Sequence, residues 1–150
     1  MKLSPHFSLE EFTYSSTALA RGFDNSLNPE NTAHAKIISN LKTLCKEVLE
    51  PLREHIQEPV IISSGYRCPK LNKAVGCSPT SQHMNGEACD IYLEDQEKLR
   101  EWFTWLMDGQ FDQLILEQAS KTSCQYWIHV SCKPDLSQNR HVVIQGLVKD

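Results

Sequence analysis

The stretch Ser81-Gln82-His83-Met84-Asn85-Gly86-Glu87-Ala88-Cys89-Asp90 contains the pattern H-x-x-G-x-A-x-D, and the fold turns on how it is read. His83 offers an imidazole nitrogen and Asp90 a carboxylate oxygen, both suited to zinc. Gly86 lies between them and lets the chain turn back, so that a loop histidine and a strand aspartate face one point. Ala88 and Asp90 are two apart and share one face of a strand, where a small side chain leaves room beside a metal. Downstream, Tyr126-Trp127-Ile128-His129-Val130-Ser131 reads as a strand that gives His129 a fixed face. His83, Asp90 and His129 then make three protein ligands with a fourth position open to water, the layout of a catalytic zinc site and not of a closed structural one. The residues alone leave a plainer reading open. A single strand histidine is ordinarily hydrogen-bonded filler, which is the role expected of His6, His34, His55 and His141. A polar pair around a glycine and an alanine is harder to explain as packing.

Working outward, the pattern is α+β. Ser8 with Glu11 three residues on reads as a capping box for a short helix over 9–14, anchored by Phe7 and Phe12. Residues 15–28 read as loop, with Gly22 and Asn25 as turn formers. Asn28 and Pro29 suit the start of a long helix in which Ile37, Leu41, Leu44 and Val48 recur on one face. Pro51 either kinks that helix or starts a second segment running to about His55. Strands are expected at 60–64, 87–93, about 111–117, 126–131 and 141–147, a short helix at 69–75, and a helix from Asp95 to Met107. Helices come early and strands late, joined by turns too short for parallel crossovers. The expectation is one domain over 1–150: a mostly antiparallel sheet packed by helices on one side.

Composition narrows the function. Lys+Arg 15 against Asp+Glu 19 leaves a net charge of −4, with no cluster of basic residues, which argues against a nucleic-acid partner. Apolar runs such as Val60-Ile61-Ile62 fall far short of a membrane span. The first residues have no apolar signal-peptide core, so the expectation is cytoplasmic synthesis, with action at the cell wall or periplasm only after release. Nothing marks a coiled coil or a large exposed apolar face, and a monomer is expected. Of six cysteines, Cys45 and Cys89 read as buried filler; Cys68 and Cys77 are near enough in sequence to pair, which sequence does not decide.

Ser63-Ser64-Gly65-Tyr66-Arg67-Cys68-Pro69, then Leu71-Asn72 and Val75-Gly76, then Ser81-x-His83-x-x-Gly86-x-Ala88-x-Asp90, then Trp127-Ile128-His129-Val130-Ser131 together resemble the zinc D-alanyl-D-alanine carboxypeptidases and endopeptidases, most of all their compact bacterial and phage branch. Phe7-Ser8-Leu9-Glu10-Glu11-Phe12 resembles that branch too. The resemblance implies a hedgehog-like D,D-peptidase fold and one zinc held by His83, Asp90 and His129. It implies a peptidoglycan peptide as substrate, cut at a terminal D-Ala-D-Ala bond, a crosslink or the L-Ala-D-Glu bond, with phage lysis as one setting. Arg67 matches an arginine that holds the substrate carbonyl or carboxylate, a task suited to a permanently charged planar fork. Its plainer role is a salt bridge to a nearby acid. Tyr66 and Ser81 match positions beside the substrate, although Ser81 also suits holding its loop.

The chain departs from the family at one point. Well-studied members carry a glutamate three residues before the last zinc histidine, as general base; here Tyr126 stands there, and Trp127 follows. Phe111-Asp112-Gln113-Leu114-Ile115-Leu116-Glu117 resembles a strand of the compact branch, and Glu117 is the replacement candidate if that strand pairs antiparallel with 126–131. Glu87 is weaker, since three residues before Asp90 it points to the other face. A zinc peptidase is the leading expectation. The second is a zinc-holding, non-catalytic module binding peptidoglycan or protein, motivated by Tyr126.

Overall fold

The computed structural model describes residues 1–148. A short antiparallel ribbon, β1 (Lys2–Ser4) with β2 (Phe7–Ser8), leads into α1 (Leu9–Thr13). The capping box forms as expected, with Ser8 N–H donating to Glu11 Oε2 at 2.7 Å. Residues 15–28, expected as loop, contain a helix, α2 (Ser16–Arg21). Ser15 accepts from Ala18 N at its start, and Gly22 ends it in the left-handed region at φ 69°. Only Ala18 within it is buried, so no apolar stripe announces it.

The long helix α3 (Thr32–Leu44) starts later than Pro29. Asn31 caps it, accepting from His34 N at 3.1 Å, while Asn28 Oδ1 accepts from Glu30 N and turns the chain ahead of the helix. The helix widens into a π turn over Cys45–Leu49, and Pro51 lies in the first turn of α4 (Glu50–Ile56), where its missing N–H costs little. Leu44, Cys45, Leu49 and Glu50 all keep right-handed helical dihedrals, so the segment expected to run to about His55 continues α3 through the π turn and ends at Ile56.

β3 (Ile62–Ser64), β4 (Ala88–Ile91), β5 (Gln113–Gln118), β6 (Tyr126–Ser131) and β7 (Val142–Val148) form one sheet in the order β3-β4-β6-β5-β7. The β3–β4, β4–β6 and β5–β6 pairs are antiparallel; β5–β7 is parallel. Short connections do not forbid that last pair. β7 follows antiparallel β6 and returns past the start of β5 through residues 132–141, which hold one 3-10 turn, so it runs in the direction of β5 without a long crossover helix.

The register sorts side chains onto two faces. Cys89 and Ile91, Leu114 and Leu116, and Ile128 and Val130 join the core, with Ile38, Leu41 and Leu44 of α3 and Leu99, Phe103 and Leu106 of α6 (Gln96–Leu106). Asp90, Ile115 and His129 are direct cross-strand partners on the opposite face. A slip of one residue would bury Asp90 and His129 among the helices and expose their apolar neighbours. Each fully buried Leu or Ile is worth roughly 1.5–3 kcal/mol, so the core itself holds the polar residues on the outer face. All six cysteines are free. Burial pushes the Cys45 thiol up to about 12, the inert state of a core cysteine. No helix among the described residues is long and apolar enough to cross a membrane.

Candidate metal centre and its cleft

His83 lies in a tight 3-10 turn, Gln82–Asn85, between α5 (Pro69–Ala74) and β4. Ser81 Oγ starts the turn by accepting from His83 N at 3.3 Å. Gly86 ends it at φ 72°, and a Cβ there would lie 2.5 Å from the Ile37 carbonyl oxygen. Both the angle and the approach to α3 require glycine, which puts a physical reason under the motif.

His83 Nδ1 lies 2.7 Å from the Gly65 carbonyl oxygen. A carbonyl only accepts, so Nδ1 carries the proton and Nε2 presents its lone pair, 3.4 Å from Asp90 Oδ1. Gly65 can approach this closely because it has no side chain: a Cβ would sit 2.6 Å from the Phe12 carbonyl oxygen. His129 Nδ1 is 3.0 Å from the same Asp90 Oδ1, brought there by the direct pairing of Asp90 with His129 across β4 and β6. One ligand atom from each of His83, Asp90 and His129 lies within 4.8 Å of the others, and all three residues are buried.

This donor set fits a divalent metal. Two imidazoles and a carboxylate converge, and the His83 ring is oriented by a backbone acceptor, as metal-bound histidines usually are. Burial lowers the pKa of His83, against the pull of the Asp90 charge. Burial alone would raise the Asp90 carboxyl, but His83 and His129 outweigh it and hold it well below the usual carboxylate range. A neutral imidazole and an ionised carboxylate are the forms that bind metal.

The triad opens into a cleft of about 700 Å³ that Arg67, Ser81 and Glu117 also line. Arg67 is buried, with Nη2 donating to Asp90 Oδ2 at 3.2 Å, Nε to Ser64 Oγ at 3.2 Å and Nη1 to Cys77 Sγ at 2.9 Å. It therefore makes the plain salt bridge and also faces the cleft. Glu117 shares the face of Ile115, whose cross-strand partner is His129, and β5 and β6 pair antiparallel as its candidacy required. Tyr66 lies elsewhere. It is buried in the core, and it borders a smaller cavity of about 270 Å³ on the Ser63 and Ser64 side of Arg67. Glu87 is buried and bonded to Gln82 Nε2 at 3.1 Å. Tyr126 packs against the core, with the Arg100 guanidinium 4.5 Å over its ring. The other histidines take local roles: His6 pairs with Glu50, His34 accepts from Asn28 N, His55 stacks on Trp105 and His141 on Phe111.

Three contributors were not legible beforehand. Asn25, expected as a turn former, is buried and staples three segments: Nδ2 donates to the carbonyls of Thr13 and Tyr66, and Oδ1 accepts from Cys68 N. Lys133 and Arg140 line the cleft from the loop between β6 and β7. No motif marks them; only the parallel addition of β7 beside β5 brings Arg140 to the site.

No curated protein matches the chain. A family model described as peptidase M15 matches residues 5–131, a span that holds the Gly65–Arg67 segment, the H-x-x-G-x-A-x-D turn and strand β6. On that match, the chain belongs to the peptidase M15 family of zinc-dependent peptidases.

Proposed function

We propose that this protein is a zinc peptidase of the hedgehog-like D,D-peptidase type that hydrolyses peptide bonds in peptidoglycan stem peptides or crosslinks. The observation that carries the reading is the convergence of His83, Asp90 and His129 at the floor of a cleft that Arg67 and Glu117 also line. His83, Asp90 and His129 would hold the ion. Zinc, when bound at such a site, supplies Lewis acidity toward a peptide carbonyl and makes water more acidic. Glu117 is the group in the cleft to take up a proton and return it to the leaving amine. Arg67, fixed by Asp90 and Ser64, meets negative charge on the substrate oxygen or carboxylate without having to reorganise. Ser81 holds the His83 turn and borders the substrate; Tyr66, buried in the core with its carbonyl held by Asn25, anchors the backbone one residue before Arg67. The site of action is the cell wall, where the substrate is, with phage lysis as one setting.

The test is zinc content of purified wild type beside His83→Ala, with muropeptide cleavage followed on the same samples. Stoichiometric zinc with cleavage, both lost in the variant, is the expected result. No zinc in either protein after loading overturns the reading. One observation favours a second reading. Tyr126 occupies the position of the usual general base and is turned to the core under Arg100. Stoichiometric zinc without cleavage of any muropeptide would identify a zinc-holding binding module.

A further inference from the structure

The cleft has two unlike ends. Gln113, Ile115 and Glu117 alternate along its β5 wall, and Ile115 is paired with His129. Glu117 is thus displaced from the triad toward Trp127, its partner in β6, and Gln113 toward the opposite end. Lys133 and Arg140 stand at that opposite end. Lys133 lies four residues beyond His129, and Arg140 two residues before Val142, the partner of Gln113 in β7. At the spacing of an extended chain, Lys133 is about 13 Å along from His129, about four extended residues, a gap that the long side chains of Lys133 and of an acidic substrate residue shorten to a residue or two beyond the bond at the triad.

These two cations are presented, not merely exposed. Their counter-charges lie behind them. Asp112 is fully buried and accepts from Arg140 Nε at 3.0 Å, from Arg140 Nη2 at 2.8 Å and from Arg140 N at 2.8 Å. Glu87 is buried beneath Lys133, with 3.6 Å between Lys133 Nζ and Glu87 Oε1. Gln82 Nε2 bridges the two carboxylates at 3.1 Å to each, and Cys132 N donates to the Glu87 carbonyl at 2.8 Å. Lys133 N is itself held by Asn139 Oδ1 at 2.8 Å. Neither Glu87 nor Asp112 lines the cleft, whereas both cations do. Arg140 Nη1 takes no part in the pairing with Asp112, and among the described residues the ion pair of Lys133 is the long one to Glu87. In an acidic protein of net charge −4, this end of the cleft turns its two cations toward the groove and keeps their carboxylates behind them.

We propose that Lys133 and Arg140 form a subsite for a substrate carboxylate, so that the protein selects peptides bearing a free acidic group one or two residues from the scissile bond over the same peptides with that group amidated. The inference rests on the cleft being the peptide site proposed above. Charge-assisted hydrogen bonds on a pre-ordered pair are the source of the preference, and its on-rate component falls with salt.

The experiment uses the zinc-loaded full chain and two probes, L-Ala-γ-D-Glu-L-Lys-D-Ala with the glutamyl α-carboxylate free and the same peptide as the α-carboxamide. Binding is measured by calorimetry in the cold, and cleavage is followed by chromatography on the same samples, for wild type, Lys133→Met and Lys133→Arg. Wild type is expected to bind the free acid on the order of tenfold more tightly, the worth of one charge-assisted hydrogen bond. Lys133→Met abolishes most of that preference at unchanged zinc content, and Lys133→Arg restores it. Equal binding of the two probes by wild type, an undiminished preference in Lys133→Met, or no binding of either probe overturns the subsite. Absence of cleavage with the preference intact overturns the peptidase reading and leaves the subsite standing.

Discussion

The carbonyl oxygen of Gly65 accepts the Nδ1 proton of His83 at 2.7 Å, and this hydrogen bond ties the S-G-Y-R segment to a metal-ligand ring, beside the bond from Arg67 to Asp90. It sets the tautomer of His83 and turns Nε2 toward Asp90. The bond exists only because a glycine can lie against Phe12. Gly65→Ala is therefore expected to weaken zinc binding about 10- to 100-fold, the usual cost of losing such an orienting partner. Competition with a chromogenic chelator measures this directly; unchanged affinity would mean that the ring is oriented by other means.

Gly86→Ala should act on stability first. The left-handed backbone costs alanine about 1 kcal/mol, and a Cβ 2.5 Å from the Ile37 oxygen forces α3 and the His83 turn apart. A loss of about 2–4 kcal/mol in urea-unfolding free energy is expected. A loss below about 1 kcal/mol would show that the turn shifts freely.

Glu117→Gln separates chemistry from metal binding. The amide keeps the shape of the carboxylate but takes up no proton. If Glu117 is the base, muropeptide cleavage falls about 10²- to 10⁴-fold while zinc content stays that of wild type. Equal turnover in the variant would remove Glu117 from the mechanism.

Zinc itself should stabilise the fold. A ligand that binds only the native state adds about 2.7 kcal/mol at a hundredfold excess over its Kd. The melting temperature is expected to rise on zinc addition, and not to rise in His129→Ala. A similar rise in that variant would place the ion elsewhere.

Asp112 makes stability depend on pH. Hydrogen bonds from Arg140 hold its folded carboxyl below the ordinary range. A carboxyl depressed in the folded state contributes stability above its unfolded pKa, near 3.9, and loses it as pH falls through the folded value. Wild type should therefore lose stability on acidification below about pH 4, and Asp112→Asn should lose less over the same window. The variant starts lower at neutral pH by about 1–2 kcal/mol, a modest figure because Arg140 is half exposed. Parallel pH profiles for the two proteins would contradict this role.

How much of this was readable in advance follows from what each feature depends on. His83, Asp90 and His129 stood out because a turn glycine and the two-residue repeat of a strand are local rules, and the pairing of Asp90 with His129 follows once β4 and β6 are recognised. Strand β6 was read at its observed bounds for the same reason. Helix α2 was missed because a helix that buries one alanine leaves no periodic trace. Asn25 reads as a turn former because its partners, Thr13 on one side and Tyr66 and Cys68 on the other, are 12 or more residues away in the chain. Lys133 and Arg140 escaped notice because a cation looks alike in any loop until its buried counter-charge is located.

The parallel β5–β7 pair carries one more consequence. β7 touches the sheet only along β5, on the side away from β4 and β6. All three metal ligands precede it in the chain. None of the three ligands lies on it, so the metal centre and the outer wall of the cleft are built on different elements. A substitution in β7 can therefore reshape the groove without displacing a donor atom.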